Sequence, residues 1–319
     1  MSTTVSSARP APPRRAPRAA LPRQRLTASR RRQIGAAYVL VLPFLILFLT
    51  MIVVPLVYAG YLSFFKTKLI GGTSFVGAEN YVRALTDPSF LTGVGRMGLF
   101  LLVQVPLMLV LSLFAALALD SGMMRLAKFV RLGIFVPYAV PSVIATLMWG
   151  YIYGPDFGPI AQIGEAVGLG APPFFTSTGI FFSIINIVNW EFVGYNMIIM
   201  YAALRSIPSE LYEAARVDGA SEIRIATSIK IPSIRPAILL TVIFSVIGTF
   251  QLFNEPALMR TLAPTVIGTD WTPNLYAYNI AFINQDANYA AALAFLLGIA
   301  IMIISYVVQL STQRRDRRS

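Results

Sequence analysis

Asn186, Asn189, Trp190, Val193 and Asn196 fall within a sector of about 120° when successive residues are placed 100° apart on a helix. Three carboxamides with an indole among them make a stripe of neutral donors and acceptors. Thr241, Ser245, Gly248, Gln251, Leu252 and Glu255 form a second stripe of similar width, with Asn254 beside its last member. Amides, hydroxyls and an aromatic plate suit a sugar, which offers hydroxyls at its rim and an apolar CH face. The same amides can simply join helix to helix, each hydrogen bond contributing roughly 0.6 kcal/mol, so residue types alone leave both roles open. Glu191 stands apart, about 140° from Asn186 on the same wheel and beside Tyr195. An acid in the middle of an apolar span costs about 2.5–3.5 kcal/mol to insert. Glu191 is therefore expected to face a second subunit, to pair with a polar group, or to be protonated. Such a carboxylate also suits an ion-coupled carrier.

Other chemistry is excluded early. The chain has neither histidine nor cysteine, which removes disulfides, thiolate or imidazole metal sites, histidine triads and histidine proton relays. No nucleophile–base pair, metal cluster or paired acid site is discernible, and lysine is absent from the apolar stretches apart from their edges. No G-x-x-x-x-G-K-[ST] occurs; the nearest pattern, Gly60 to Lys66-Thr67, lacks the second glycine. The expectation is a protein that is not an enzyme and holds no cofactor or metal. Any active step would draw its energy from another polypeptide or an ion gradient.

The elements that position these residues follow from composition. Of 319 residues, 56% are hydrophobic and 13% charged, with a mean hydropathy of +0.67. Soluble domains carry about a quarter charged residues, so a single soluble domain is excluded. A bilayer core takes roughly 20 apolar residues as a helix. Six stretches qualify: Ala36–Tyr61, Arg96–Leu119, Phe129–Tyr153, Gly179–Leu204, Pro236–Leu258 and Tyr289–Leu310. Backbone groups in lipid must be satisfied within a segment, and nothing alternates at period two over such lengths, so the expected fold is an all-α polytopic membrane protein. Pro43 and Pro55 in the first stretch, and Pro137 and Pro141 in the third, predict kinks.

Positive charge sets the orientation. Residues 1–35, the 120–131 and 205–235 loops and the tail after Leu310 together carry 21 Lys and Arg, against five on the other side. Both termini are thus expected in the cytoplasm, and the net charge of +12 needs no nucleic-acid partner. Residues 1–35 are rich in Arg, Pro and Ala without an acid and read as a disordered basic tail, an arm on anionic lipid being the alternative. Residues 36–312 are expected to form a six-helix transmembrane domain and 313–319 a second short basic tail. The loops 154–178 and 259–288 either receive a delivered substrate or pack over the cavity mouth.

The loop from Arg205 to Arg235 has structure of its own. Pro208 suits a first helical position, and Ser209 and Glu210 put polar and acidic groups in the first turn. Leu211, Ala214, Ala215 and Val217 give an apolar strip beside Glu210, Glu213 and Arg216. Gly219 is placed to end that helix in a left-handed conformation. Ser221 caps a second helix through about Ile229, which Pro232 and Pro236 stop. This helix–bend–helix unit is either a surface hairpin or a docking surface.

The run Glu213-Ala214-Ala215, Asp218-Gly219-Ala220, Ile229, Pro232 and Pro236 resembles the EAA loop of binding-protein-dependent permeases, the membrane subunits of ABC importers. Leu204 to Pro208 with Leu211-Tyr212, and Phe75 to Tyr81, resemble the sugar-permease branch, of the maltose and glycerol-phosphate type. So do Phe135-Val136-Pro137 through Trp149, Phe250 to Pro256, and Tyr289 to Ala292. Ala226 departs from a usual bulky aromatic and Ile231 from a usual leucine. The resemblance implies that Glu213, Ala214, Ala215, Asp218, Gly219 and Pro232 couple to an ATPase, with Glu213 pairing with a base and Gly219 permitting the bend. It also implies a substrate path between the middle spans, hence through Asn186, Asn189, Trp190, Asn196, Gln251, Asn254 and Glu255. Implied partners are a second homologous permease, two ATPases holding ATP and Mg, an extracytoplasmic binding protein, a sugar and membrane lipid. The implied place is the bacterial cytoplasmic membrane. The arginine-rich tail without a glycine-rich segment resembles the first permease of such a pair. An ion-coupled carrier of a neutral polar solute is the rival reading.

Overall fold

The computed structural model describes residues 28–316 apart from Leu69 and Met123. Most of the two expected tails, 1–35 and 313–319, lies outside the described residues. The chain divides into two compact units, Met1–Leu56 and Val57–Ser319. In the first, α1 (Ala28–Phe48) starts before the expected edge at Ala36, contains Pro43, and leads into a π turn at Leu49–Val53. The helix α2 (Val54–Ser63) carries the chain into the second unit. The π turn sits immediately before Pro55, with Val54 N–H donating to the Leu49 carbonyl. Widening the turn makes room for a ring that would otherwise strike the carbonyl four residues back.

The second unit opens with a small departure from the all-α expectation. Strands β1 (Phe65–Lys68) and β2 (Gly72–Phe75) pair antiparallel, Phe65 opposite Phe75. Two four-residue strands are too short for a period-two pattern to stand out. Buried Asn80 in α3 (Glu79–Thr86) fastens this ribbon, its Nδ2 donating to the Ser63 and Phe65 carbonyls at 2.9 Å each.

Asp87 then caps α4 (Pro88–Asp120), a 33-residue helix about 50 Å long at 1.5 Å per residue. The third expected span is broken rather than kinked. Helix α5 (Ala127–Phe135) passes through a 3-10 turn at Val136–Ala139 to α6 (Ser142–Ile152), with a bend of 100°. Pro137 lies in the tight turn, and extended Val140 before Pro141 shows why a helix cannot continue there. Helix α7 (Pro159–Ala166) lies in the loop that follows. Helix α8 (Ser177–Leu204) runs 28 residues, capped by Thr176, and packs along α4. At Gly194 it meets α5 so closely that a Cβ would run into the Ile134 carbonyl.

The next segment contains α9 (Ser209–Val217), α10 (Glu222–Ile225), a π turn at Ala226–Lys230 and α11 (Ile231–Ser233). Pro208 is the N-cap rather than the first helical residue. Pro232 does not stop the second helix, for the same reason as at Pro55: a π turn precedes it. The break falls at Ile234, where the chain bends by 67° into α12 (Arg235–Phe250). The fifth expected span also ends early. Gln251 to Phe253 leave the helix, and α13 (Asn254–Leu262) begins afresh. Helix α14 (Pro273–Tyr278), a π turn at Asn279–Ile283 and α15 (Ala287–Asp316) complete the described chain.

Among the described residues, three helical stretches are long and apolar enough to cross a membrane, Gly35–Ser63, Pro88–Asp120 and Ala287–Leu310, and up to five if each bent pair is one span. Helix α8 has the length but not the apolarity, because Asn186, Asn189, Glu191 and Asn196 lie within it. One buried cluster, including Phe100, Ile184, Met259 and Tyr289, fills the bundle around α4, α8, α13 and α15. A second, with Ala116, Leu119, Met200, Leu204 and Ile234, joins the far ends of α4 and α8 to the start of α12.

Candidate functional site

A cavity of about 430 Å³ opens between α4, the α5–α6 bend, α8, α12 and α13. Its wall combines Gln104, Ser142, Asn196, Ser245, Gln251, Asn254 and Glu255 with Phe100, Met108, Tyr138, Phe192 and Tyr195. That size and mixture match a small-molecule site: a mostly apolar wall with a few convergent polar groups. Both breaks in the helices serve it. The 100° bend brings Tyr138 and Ser142 to the wall, and Gln251, Leu252 and Phe253, where the helix unwinds, line it as well. Asn254 Nδ2 donates to Ser142 Oγ at 2.8 Å, tying one break to the other.

Four of the expected path residues meet here: Asn196, Gln251, Asn254 and Glu255. The other three do not. Asn189 Oδ1 accepts from Gln104 Nε2 at 3.2 Å, joining α8 to α4 in the buried interior. Asn186 Nδ2 donates to Tyr153 Oη at 2.7 Å and lines a separate recess with Trp149. Trp190 packs edge-on against Trp149, ring centroids 5.9 Å apart. The wheel counted all three with Asn196 because a 120° sector spans more than one neighbour in a crowded bundle. The aromatic plate at the cavity is instead Tyr138 stacked on Tyr195 at 4.7 Å, with Phe192 edge-on at 6.0 Å from Tyr138.

Asn196 Nδ2 donates to the Phe192 carbonyl at 3.0 Å, while its Oδ1 is buried with no partner among the described residues. Glu191 faces neither lipid nor the asparagine stripe. It is 3% exposed, and its carboxyl lies against that of Glu255, itself 6% exposed. The signals for the missed residues were modest: Gln104 is a lone amide in an apolar run, and Tyr138 stands beside Pro137.

The 209–233 segment has the opposite character. Helix α9 buries none of its residues; Glu213, Ala214, Asp218 and Gly219 are exposed and Ala215 half-buried. Leu211 and Val217 of the expected apolar strip are 50% and 88% exposed, and Ile223 across the bend 77%, so most of this apolar surface has no cover among the described residues. Gly219 ends α9 at φ +80°, with its N–H donating to the Arg216 carbonyl and Ala220 N–H to the Ala215 carbonyl. That bond pair is a Schellman ending, which favours glycine at the left-handed position. Ser221 Oγ then accepts from Arg224 N–H at 3.3 Å to start α10. Arg216 Nε and Glu222 Oε1 pair across the bend at 2.9 Å; that bond holds the Glu222 carboxyl below its usual 4.5. Pro232 is half-buried where the segment rejoins the bundle.

Comparison with known proteins agrees with this architecture. The chain is 31% identical to the lactose transport system permease protein LacF of Rhizobium radiobacter, over 73% of this chain and 79% of that one. It is 30% identical to the sulfoquinovosyl glycerol transport system permease protein SmoG of Agrobacterium fabrum, over 85% and 88%. Its fold matches a chain of a bacterial ABC transporter involved in the import of the acidic polysaccharide alginate with a TM-score of 0.79, at 20% identity, covering 90% of this chain and 98% of that one. The family described as "Binding-protein-dependent transport system inner membrane component" matches residues 39–319, and the chain belongs to that family.

Proposed function

We propose that this chain is a permease subunit of a carbohydrate ABC importer. A second homologous permease, two ATPases and an extracytoplasmic binding protein complete the machine. The observation that carries this reading is the exposed 209–233 segment: a capped helix, a left-handed glycine and a second helix, with its acid and its apolar side chains uncovered. A connection between two spans needs only a few residues, whereas a lever against a motor needs a free face on a stiff support. Glu213 offers a charge to a basic group of the ATPase, and Gly219 keeps the two helices at their angle. The segment lies in the cytoplasm under the positive-charge rule, as do both termini. Six crossings then arise from Gly35–Ser63, α4, the bent α5–α6 pair, α8, α12 and α15.

The carbohydrate is supported by the names of LacF and SmoG and by the cavity, where amides and hydroxyls stand beside stacked tyrosines. Asn196, Gln251, Asn254 and Glu255 meet the sugar's hydroxyls, and Tyr138 and Tyr195 its apolar face. ATP and Mg sit on the partner ATPase. The broken helices put their irregular backbone at the cavity, as in transporters whose halves rock about a central site.

The test is reconstitution in vesicles, with uptake of lactose and sulfoquinovosyl glycerol measured. Uptake is expected only with the ATPases, ATP and the binding protein. Glu213→Lys and Gly219→Pro are expected to leave ATP hydrolysis running while uptake stops; normal uptake in both removes the coupling role. The buried carboxyl of Glu191 favours a second reading, an ion-coupled carrier. Gradient-driven uptake by this chain alone would establish that reading instead.

A further inference from the structure

The 209–233 segment touches the bundle through one chemically distinctive contact. Lys230 Nζ, at the end of the π turn, lies 2.7 Å from Asp120 Oδ2, the last residue of α4, and the two side chains are only 5% and 4% exposed. Lys230 Nζ also sits 4.8 Å from the centre of the Tyr212 ring, which comes from α9 on the other side of the glycine bend. Burial pushes the Tyr212 hydroxyl above its usual 10.0; Asp120 adds to the rise and Arg205 opposes it. Both arms of the helix–bend–helix unit therefore converge on one charge at the end of α4.

An acid at a helix C-terminus is opposed by the helix dipole. Asp120 is held there, out of water, by the lysine alone among the ion pairs of the described residues. A buried pair gives little net stability over apolar side chains of the same size, yet losing one partner leaves a stranded charge. Such a contact binds two bodies tightly in one arrangement and resists any other. Helix α4 in turn supplies Phe100, Gln104 and Met108 to the cavity wall, so whatever moves its end moves the cavity.

We propose that the Asp120–Lys230 ion pair, covered by Tyr212, is the joint through which the 209–233 segment drives α4 and hence the cavity. The three are positioning residues, and the proposal rests on the reading of that segment as the part facing the ATPase. Neutral packing at the same place would hold the segment but let it slide; the charge pair makes segment and helix travel together.

The experiment uses the assembled importer in vesicles and reads two quantities: how much ATPase copurifies, and the ratio of ATP hydrolysis with and without the binding protein. Asp120→Asn and Lys230→Met are expected to retain copurifying ATPase while the ratio falls at least five-fold. The exchanged pair, Asp120→Lys with Lys230→Asp, is expected to recover it to within two-fold. Should either single variant fail to assemble, the double variant Asp120→Leu with Lys230→Met decides. It keeps the packing and removes both charges, and a lost ratio supports the joint. A normal ratio in the assembled single variants or in that apolar pair overturns it. A wild type that neither binds an ATPase nor responds to the binding protein overturns the parent reading and the joint with it.

Discussion

At one end of α4, Asp87 accepts from two backbone N–H groups and from the hydroxyls of Tyr276 and Tyr289, each 2.7 Å away. At the other end, Asp120 meets Lys230. The first acid sits where the helix dipole favours it, half-buried, with Arg83 nearby, 3.7 Å over the Tyr289 ring and paired with Asp286 at 3.2 Å. Its ties are numerous, and most come from neutral donors. The second acid sits where the dipole opposes it and depends on one cation from a segment that buries little else. Many weak ties make an anchor that survives the loss of any one. A single strong tie makes a connection that holds fully or not at all.

Breaking the second end should do the most damage. Lys230→Met is expected to lower stability by about 3–5 kcal/mol, because the Asp120 charge is left buried without a partner; Asp120→Leu with Lys230→Met should restore most of it. Thermal unfolding of the purified variants in detergent measures both, and equal losses in the single and double variants would mean the stranded charge is not the cause.

The Asp87 end should cost less. Asp87→Ala removes a helix cap, expected at about 0.5–2 kcal/mol. Burial pushes the Asp87 carboxyl up, but the hydrogen bonds from Tyr276, Tyr289, Phe90 N–H and Ser89 N–H outweigh it and leave it below 3.8. A depressed value means that the stabilisation is complete above the ordinary carboxylate range and fades as pH falls through the lowered value. The acid limb of the stability profile should therefore flatten in Asp87→Asn, and an unchanged limb would contradict the assignment.

Between the two ends, the Gln104–Asn189 bond ties α4 to α8. Asn189→Leu is expected to lose roughly 0.6 kcal/mol and leave the half-saturation of uptake unchanged, whereas Gln251→Ala should raise half-saturation at constant abundance. If Asn189→Leu alone shifts half-saturation, its amide reaches the sugar after all. Smallest of all is the surface pair Arg216–Glu222, whose side chains are 50% and 54% exposed. Glu222→Gln should leave the melting temperature unmoved, since water screens such a pair in either state.

Much of this was legible in the residues. Apolar length placed six stretches, and five of them correspond to the apolar helices and bent pairs found; the sixth, α8, shows its polar content directly. Gly219, Ser221 and the first of the two helices around them read correctly because caps and left-handed endings are local chemistry, whereas the second helix ran past Ile229 to Ser233. The breaks did not read as well. Proline flagged Pro137 and Pro141, but at Pro55 and Pro232 a π turn absorbed the ring, and at Gln251–Phe253 the helix unwound just ahead of Pro256, which can give the Leu252 carbonyl no N–H.

Composition and periodicity thus determined a helical membrane bundle and the helix–bend–helix unit of its 205–235 loop, since hydrophobic length and capping depend on near neighbours in the chain. Which amides face the cavity was a tertiary decision. Asn189 and Asn196 lie on one helix face, yet one meets Gln104 and the other the cavity wall, according to what α4 and α12 place opposite them. The pairing of Asp120 with Lys230 belongs to the same class, because a charge separated from its partner by more than a hundred positions carries no mark of that partner until the chain brings them together.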